Sequence, residues 1–254
     1  MKKIYTLECC VDSVESAVRA KEGGADRLEL CANLVIGGTT PTLALFEQIR
    51  ETVDIRIHAL IRPRFGDFLY SSHETEIICR EIRAFRQAGA EGVVIGALKP
   101  DGSLDVERMK RFIDCAGGMS VTLHRAFDMC RDPFAALQQA KELGVNTILT
   151  SGQAPSCVAG LSRMKELAAA AGGDITILAG AGINADAVKT LLAQTTLTAF
   201  HMSGKKVLSS GMTYRNPDVS MGLPGMSEYE IWQTDPQNVR AVRSLLDNAA
   251  LSSI

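Results

Sequence analysis

Hydrophobic positions along the chain follow two alternating patterns. Short apolar runs rich in β-branched residues recur at Ile4 to Cys10, Arg27 to Cys31, Ile55 to Ile61, Gly92 to Ala97, Met119 to His124, Asn146 to Ser151, Ile175 to Ala179 and Leu197 to His201. Each is bounded by turn residues and predicts a strand. Between them, segments such as Asp12 to Glu22, Glu74 to Gln87, Asp105 to Cys115 and Ser156 to Ala171 carry apolar residues at helical spacing, and a last helix is predicted over Gln237 to Asp247. Strand starts recur about every 28 residues, which suits one strand, one helix and two short loops. Gly24, Gly89 and Gly144 stand where a helix would end, just before the next strand.

Eight βα units with right-handed crossovers can close into a (β/α)8 TIM barrel, which removes the edges that an open sheet would leave. The α/β reading is therefore one barrel domain over residues 1 to 254, with an open doubly wound sheet as the alternative. Composition narrows the partners. The chain of 254 residues is 46% hydrophobic and 22% charged with a net charge of −2, which excludes a disordered chain and a nucleic-acid binder built on a basic face. The opening MKKIYTLECC has too few apolar residues before Glu8 for a signal-peptide core, and no run could span a membrane. A cytoplasmic protein is expected. Its 7 cysteines, an odd number, read as reduced thiols rather than a disulfide framework.

In such barrels the working face lies at the carboxyl ends of the strands, and polar residues concentrate there. Strand one ends with Glu8 and Cys10, and strand two with Glu29 and Cys31. Strand three runs into Arg62, Arg64 and Asp67, and strand five ends at His124 and Arg125 with Asp128 following. Strand six ends with Ser151, strand seven gives Gly180 and Gly182, and strand eight gives His201 and Ser203. The repeated Glu-x-Cys puts each Glu on one face with its Cys, pointing into the barrel mouth. Two thiolates on neighbouring strands suit a soft ion such as Cu(I), although small core cysteines give the same pattern. Two carboxylates in a half-buried mouth need cations, for which Arg62, Arg64 and Arg125 are the candidates, with Glu29 the expected partner of Arg62. His58 and His201 read as strand histidines satisfied in the core, His73 as surface. His124, flanked by Arg125 and Asp128, is the candidate proton carrier. Gly180 and Gly182 before a helix, with Ser203 after strand eight, resemble a phosphate-holding turn. A long connection from Met202 to about Thr234 offers Lys205, Lys206, Arg215 and Asn216 as further contacts.

Taken together, Glu8-Cys9-Cys10-Val11-Asp12-Ser13, Gly23 to Cys31, Gly37-Gly38-Thr39-Thr40-Pro41, Ile61-Arg62-Pro63-Arg64, Gly66-Asp67-Phe68, His124 to Asp128, Leu149-Thr150-Ser151-Gly152 and Ala179 to Ile183 are similar, in this order, to the motifs of the copper homeostasis protein CutC family. Arg64-Phe65-Gly66-Asp67 departs from the family's more usual Arg-Gly-Gly-Asp, and Gly204-Lys205-Lys206 fills a loop that varies. The resemblance implies a cytosolic barrel, commonly a homo-oligomer, that serves copper tolerance or trafficking. It also implies Cys10 and Cys31 as the Cu(I) ligands. The alternative is a barrel enzyme acting on a small anionic or phosphorylated metabolite, with Glu8 or Asp128 as general base, His124 as acid and the arginines orienting the anion. If the polar mouth serves function rather than the fold, His124→Ala and Asp128→Asn should leave stability nearly unchanged.

Overall fold

The computed structural model describes residues 4 to 222 and 225 to 251. Eight parallel strands, β1 (Thr6–Val11), β2 (Arg27–Leu30), β3 (Arg56–Leu60), β4 (Gly92–Ile95), β5 (Ser120–Leu123), β6 (Thr147–Thr150), β7 (Thr176–Ala179) and β8 (Ala199–Met202), pair in sequence order, and β8 returns to β1 to close the barrel. Around them lie α1 (Val14–Gly23), α2 (Leu43–Thr52), α3 (Ser72–Gln87), α4 (Val106–Ala116), α5 (Pro133–Glu142), α6 (Leu161–Ala171), α7 (Ala185–Gln194) and α8 (Pro236–Leu251). Every predicted strand is present; most are trimmed at their ends, while β1 and β8 start later and run one residue further, to Val11 and Met202. The predicted helix from Ser156 begins only at Leu161, since Gly160 caps it there.

The two faces of each strand have separate fates. Leu7, Cys9, Leu28, Leu30, Ile57, Ile61, Val93 and Ile95 face the helices and join Phe46, Phe85, Phe112, Leu167 and Leu191 in one continuous core. Inside the barrel, the apolar side chains form two smaller clusters, Cys10, Cys31, Leu60 and Val94 on one side and Leu149, Leu178 and Ala199 on the other. The rest of the interior is polar: Glu8, Glu29, His58, Thr122 and His124 are all buried. Local signals secure the surrounding helices. Ser13 caps α1, Ser71 and Glu74 form a capping box on α3, and Gly24 ends α1 at φ 96, its amide donating to the carbonyls of Ala20 and Lys21.

The long connection after β8 is more ordered than its composition suggests. β9 (Lys205–Ser209) and β10 (Glu230–Thr234) pair antiparallel as a separate ribbon. Lys206 pairs with Asp235 at 2.9 Å, Arg215 donates to Ser209 and Ser210, and the Asn216 amide donates to the Tyr229 hydroxyl, so these three are used within the arm and its junction. Lys205 sits 3.2 Å from the centre of the Trp232 ring, beside a small cavity that also touches Cys10. No helix among the described residues is long and apolar enough to cross a membrane.

Large polar rings fit inside the barrel because small residues face them. A Cβ on Gly92 would lie 2.7 Å from the His58 ring, and one on Gly96 2.6 Å from the His124 ring. Gly92→Ala should therefore lower stability by about 2 kcal/mol through overpacking. Gly211→Ala, with nothing within 4 Å of its Cβ, should be neutral. Urea midpoints of the two variants check this; equal midpoints would contradict the packing account.

Candidate metal and ligand site at the barrel mouth

Strand register builds the first cluster. Glu8 on β1 stands level with Arg27 on β2 and with His201 on β8, and Cys10 stands level with Glu29. With period two, all five side chains point inward. The Glu8 carboxylate, 1% exposed, takes Arg27 Nε on Oε2 at 2.5 Å and His201 Nδ1 on Oε1 at 2.7 Å. Burial pushes the Glu8 carboxyl up, but Arg27 and His201 outweigh it and hold the group at about 2. The cations expected for the two glutamates were Arg62, Arg64 and Arg125. None of them pairs with either, and Arg27 takes that place because its β-register, not its nearness to the mouth, sets it beside Glu8.

His201 joins this pair to the mouth. Its Nε2 lies 3.6 Å from Glu29 Oε2, and the ligand atoms of Cys10, Glu29 and His201 all lie within 4.8 Å of one another. Burial alone would lower the His201 pKa. Electrostatic attraction to Cys10 and Glu29, with hydrogen bonds to Cys10 and Glu8, instead raises it well above the usual imidazole range. Glu29 is raised by burial and by the charge of Glu8, against the pull of His201. Cys31 lies two residues above the level of Cys10, because barrel stagger matches Cys10 to Glu29. Its sulfur rests 3.6 Å from Glu29 Oε2, and burial, then Glu29 and Cys10, keeps it a thiol. The arrangement offers a soft sulfur, an imidazole and a carboxylate at one point, with a second sulfur beyond the carboxylate.

A cavity of about 290 Å³ opens above this cluster, bordered by Cys10, Glu29, Cys31 and His201 on one side and by Arg62, Phe68, His124 and Arg125 on another, with Gly182 and Ser203 at its rim. His124 is 4% exposed, and its Nδ1 accepts the Ala126 amide at 3.1 Å. Burial, reinforced by the charge of Arg62, lowers its pKa to about 3, so the imidazole is neutral. His58 is lowered to about 4 by burial and by Arg27. Arg62 does not meet Glu29; its guanidinium donates to the carbonyls of Gly37, Gly38 and Gly66.

The remaining predicted residues serve the loops. Asp128 does not border the cavity. Its carboxylate accepts from Thr150 Oγ1, the Ser151 amide and hydroxyl, the Gln153 amide and Arg125 Nε, and so ties two loops together. Ser151 is fully buried in this knot, and its single hydroxyl proton is shared between Asp128 and Ala154 O. Arg64 pairs on the surface with Asp67 and Glu74, away from the mouth. Gly180 faces inward, where a Cβ would strike Leu149 at 2.6 Å. Sequence reasoning missed Arg27 and Phe68. Arg27 shares the period-two face of Glu29 and Cys31 and was legible there, whereas nothing local marks Phe68.

Two measurements follow from these partners. Asp128→Asn was expected to be nearly neutral; with five donors on a carboxylate 6% exposed, it should instead cost on the order of 3 kcal/mol, against less than about 0.5 for Asp67→Asn. For Glu8 the folded pKa is depressed, so its contribution is full above the ordinary carboxylate value of 4.5 and is lost as pH falls through about 2. The stability gap between wild type and Glu8→Gln should be on the order of 3 kcal/mol at pH 7 and close over that window. A gap that persists below pH 2 would contradict the ion-pair assignment.

Comparison with known proteins places this site in a family. The CutC family model matches residues 5–206, which hold all eight barrel strands and the first two residues of β9. A family protein CutC of Bacteroides fragilis is 44% identical over 247 residues, covering 96% of each chain. A human copper homeostasis protein cutC homolog is 42% identical over 245 residues, covering 96% of this chain and 90% of that one. A CutC crystal structure from Streptococcus agalactiae superposes with a TM-score of 0.75 at 25% identity, covering 79% of this chain and 99% of that one. The chain with the Glu8, Cys10, Glu29, Cys31 and His201 cluster belongs to the CutC family.

Proposed function

We propose that the protein binds Cu(I) as cargo at the barrel mouth in the service of copper homeostasis, with Cys10 as the anchoring thiolate and His201 as its partner. The observation that carries this reading is the meeting of Cys10, Glu29 and His201 ligand atoms within 4.8 Å. Thiolate and imidazole suit a soft monovalent copper ion; a carboxylate does not, so Glu29 is read as the acceptor of the Cys10 proton that the metal displaces, the imidazole proton leaving to solvent. Glu8 holds His201 by Nδ1, which leaves Nε2 turned toward Cys10 and Glu29, the carboxylate–histidine arrangement that orients metal ligands. Cys31, which family resemblance pairs with Cys10, is read as a second thiol that loses its proton only to a metal ion. Membership of the family supports the copper assignment, and seven free, buried cysteines are consistent with a reducing cytoplasm.

Anaerobic Cu(I) titration against a competing chelator tests the proposal. Cys10→Ser should weaken binding at least about 100-fold, and His201→Gln about 10-fold or more. Cys31→Ser should have the smallest effect of the three. Binding should also weaken as pH falls, because the sulfur and imidazole protons compete with the metal. Equal affinity in wild type and Cys10→Ser, or tighter binding of Zn(II) than of Cu(I) in the wild type, would overturn it.

A further inference from the structure

Arg62 is a buried cation without a counter-charge. It is 8% exposed, and among the described residues no carboxylate lies within ion-pair distance of it. The other deeply set arginines do not share this state: Arg27 has Glu8, and Arg243 has Asp26 and Asp247. Three backbone carbonyls take the Nη groups of Arg62, and its Nε has no partner at all. A buried charge compensated only by dipoles and one ring face is costly unless something anionic completes it.

A second unused donor stands beside it. Because His124 Nδ1 accepts the Ala126 amide, the ring carries its proton on Nε2, and Nε2 is buried without a partner. The Phe68 ring lies against both groups, 5.1 Å from Arg62 Cζ and 4.8 Å from the His124 ring centre. All three border the mouth cavity, whose other walls include Leu34, Leu60, Leu149, Ile183 and Met202. On the far rim Ala181 holds φ 68, a left-handed conformation that an alanine adopts at a cost, and such strain clusters where a turn must meet a ligand.

We infer that the mouth cavity is a binding site for a small monocarboxylate with an apolar tail, its carboxylate held by Arg62 Nε and His124 Nε2. One positive charge and two donors match the single charge and two oxygens of a carboxylate, and fall short of a phosphate dianion with three oxygens. The aliphatic walls take the tail, and the volume fits a metabolite of modest size. Both nitrogens are sealed from solvent, so the partly exposed Phe68 ring must swing aside for the carboxylate to enter. This site uses residues other than the proposed copper ligands and does not depend on them.

The test is calorimetric titration of the metal-free protein, kept in chelator, with straight-chain monocarboxylates from acetate to hexanoate, their methyl esters and inorganic phosphate. Binding should tighten with tail length and be absent for the esters and for phosphate. Arg62→Met should weaken hexanoate binding at least about 30-fold and His124→Phe about 10-fold, in proteins whose circular dichroism and cooperative unfolding show them folded. His124→Phe keeps a ring against Phe68, and in wild type the 15N-attached Nε2 proton should shift on hexanoate addition, which provides a readout without substitution. Failure of every carboxylate to bind at roughly 20 mM, preference for phosphate, or an unmoved Nε2 proton in the bound state would each overturn the inference.

Discussion

The structure depends on the ionised Glu8 carboxylate inside the barrel, clasped by Arg27 and His201. A carboxylate buried to 1% exposure is tolerable only when both oxygens are met by charged donors, and the register of β1 with β2 and β8 supplies one from each side. That constraint reaches outward in steps. Glu8 fixes the His201 ring, the ring turns Nε2 toward Cys10 and Glu29, and Glu29 in turn carries the Cys31 thiol. An apolar residue at position 8 could pack as well in a barrel core, but it would leave Arg27 and His201 without their partner. On the proposed reading, the ion pair is kept for the orientation it imposes on a copper ligand.

The mouth has two chemically distinct sides. One is soft and proton-rich: Cys10, Cys31 and His201 around Glu29. The other is a cation and a neutral imidazole, Arg62 and His124, joined by Phe68. They share one cavity without sharing ligand atoms. On the proposed readings, a copper site alone would account for the first side and leave the second without a use, whereas a carboxylate on Arg62 and His124 would use the second and leave the first free for the metal.

Much of the fold was legible in the sequence because the signals are local. Alternation separated the inward and outward faces, Gly24, Gly89 and Gly144 marked helix ends, and the strand period pointed to closure. The clustering of polar residues at strand ends also pointed to the barrel mouth, where the ligand atoms of Cys10, Glu29 and His201 come together. Pairing across strands was not legible. Which arginine meets Glu8 depends on barrel stagger, and stagger likewise puts Glu29 rather than Cys31 level with Cys10. Asp128 looked like a general base beside His124, yet its five donors come from Arg125 and from Thr150, Ser151 and Gln153, a loop more than twenty residues away in sequence. The ribbon of β9 and β10 was hidden for a different reason: its strands are short, exposed and separated by a long polar stretch.

The central claim is that His201, held by Glu8, partners Cys10 in taking up copper. X-ray absorption at the copper edge of the Cu(I)-loaded protein tests that most directly. The predicted shell contains sulfur and one imidazole nitrogen, and His201→Gln removes the nitrogen while the sulfur stays. A shell of sulfur alone in the wild type would instead assign the ion to Cys10 and Cys31, and would contradict the proposed role of the Glu8 and His201 pair.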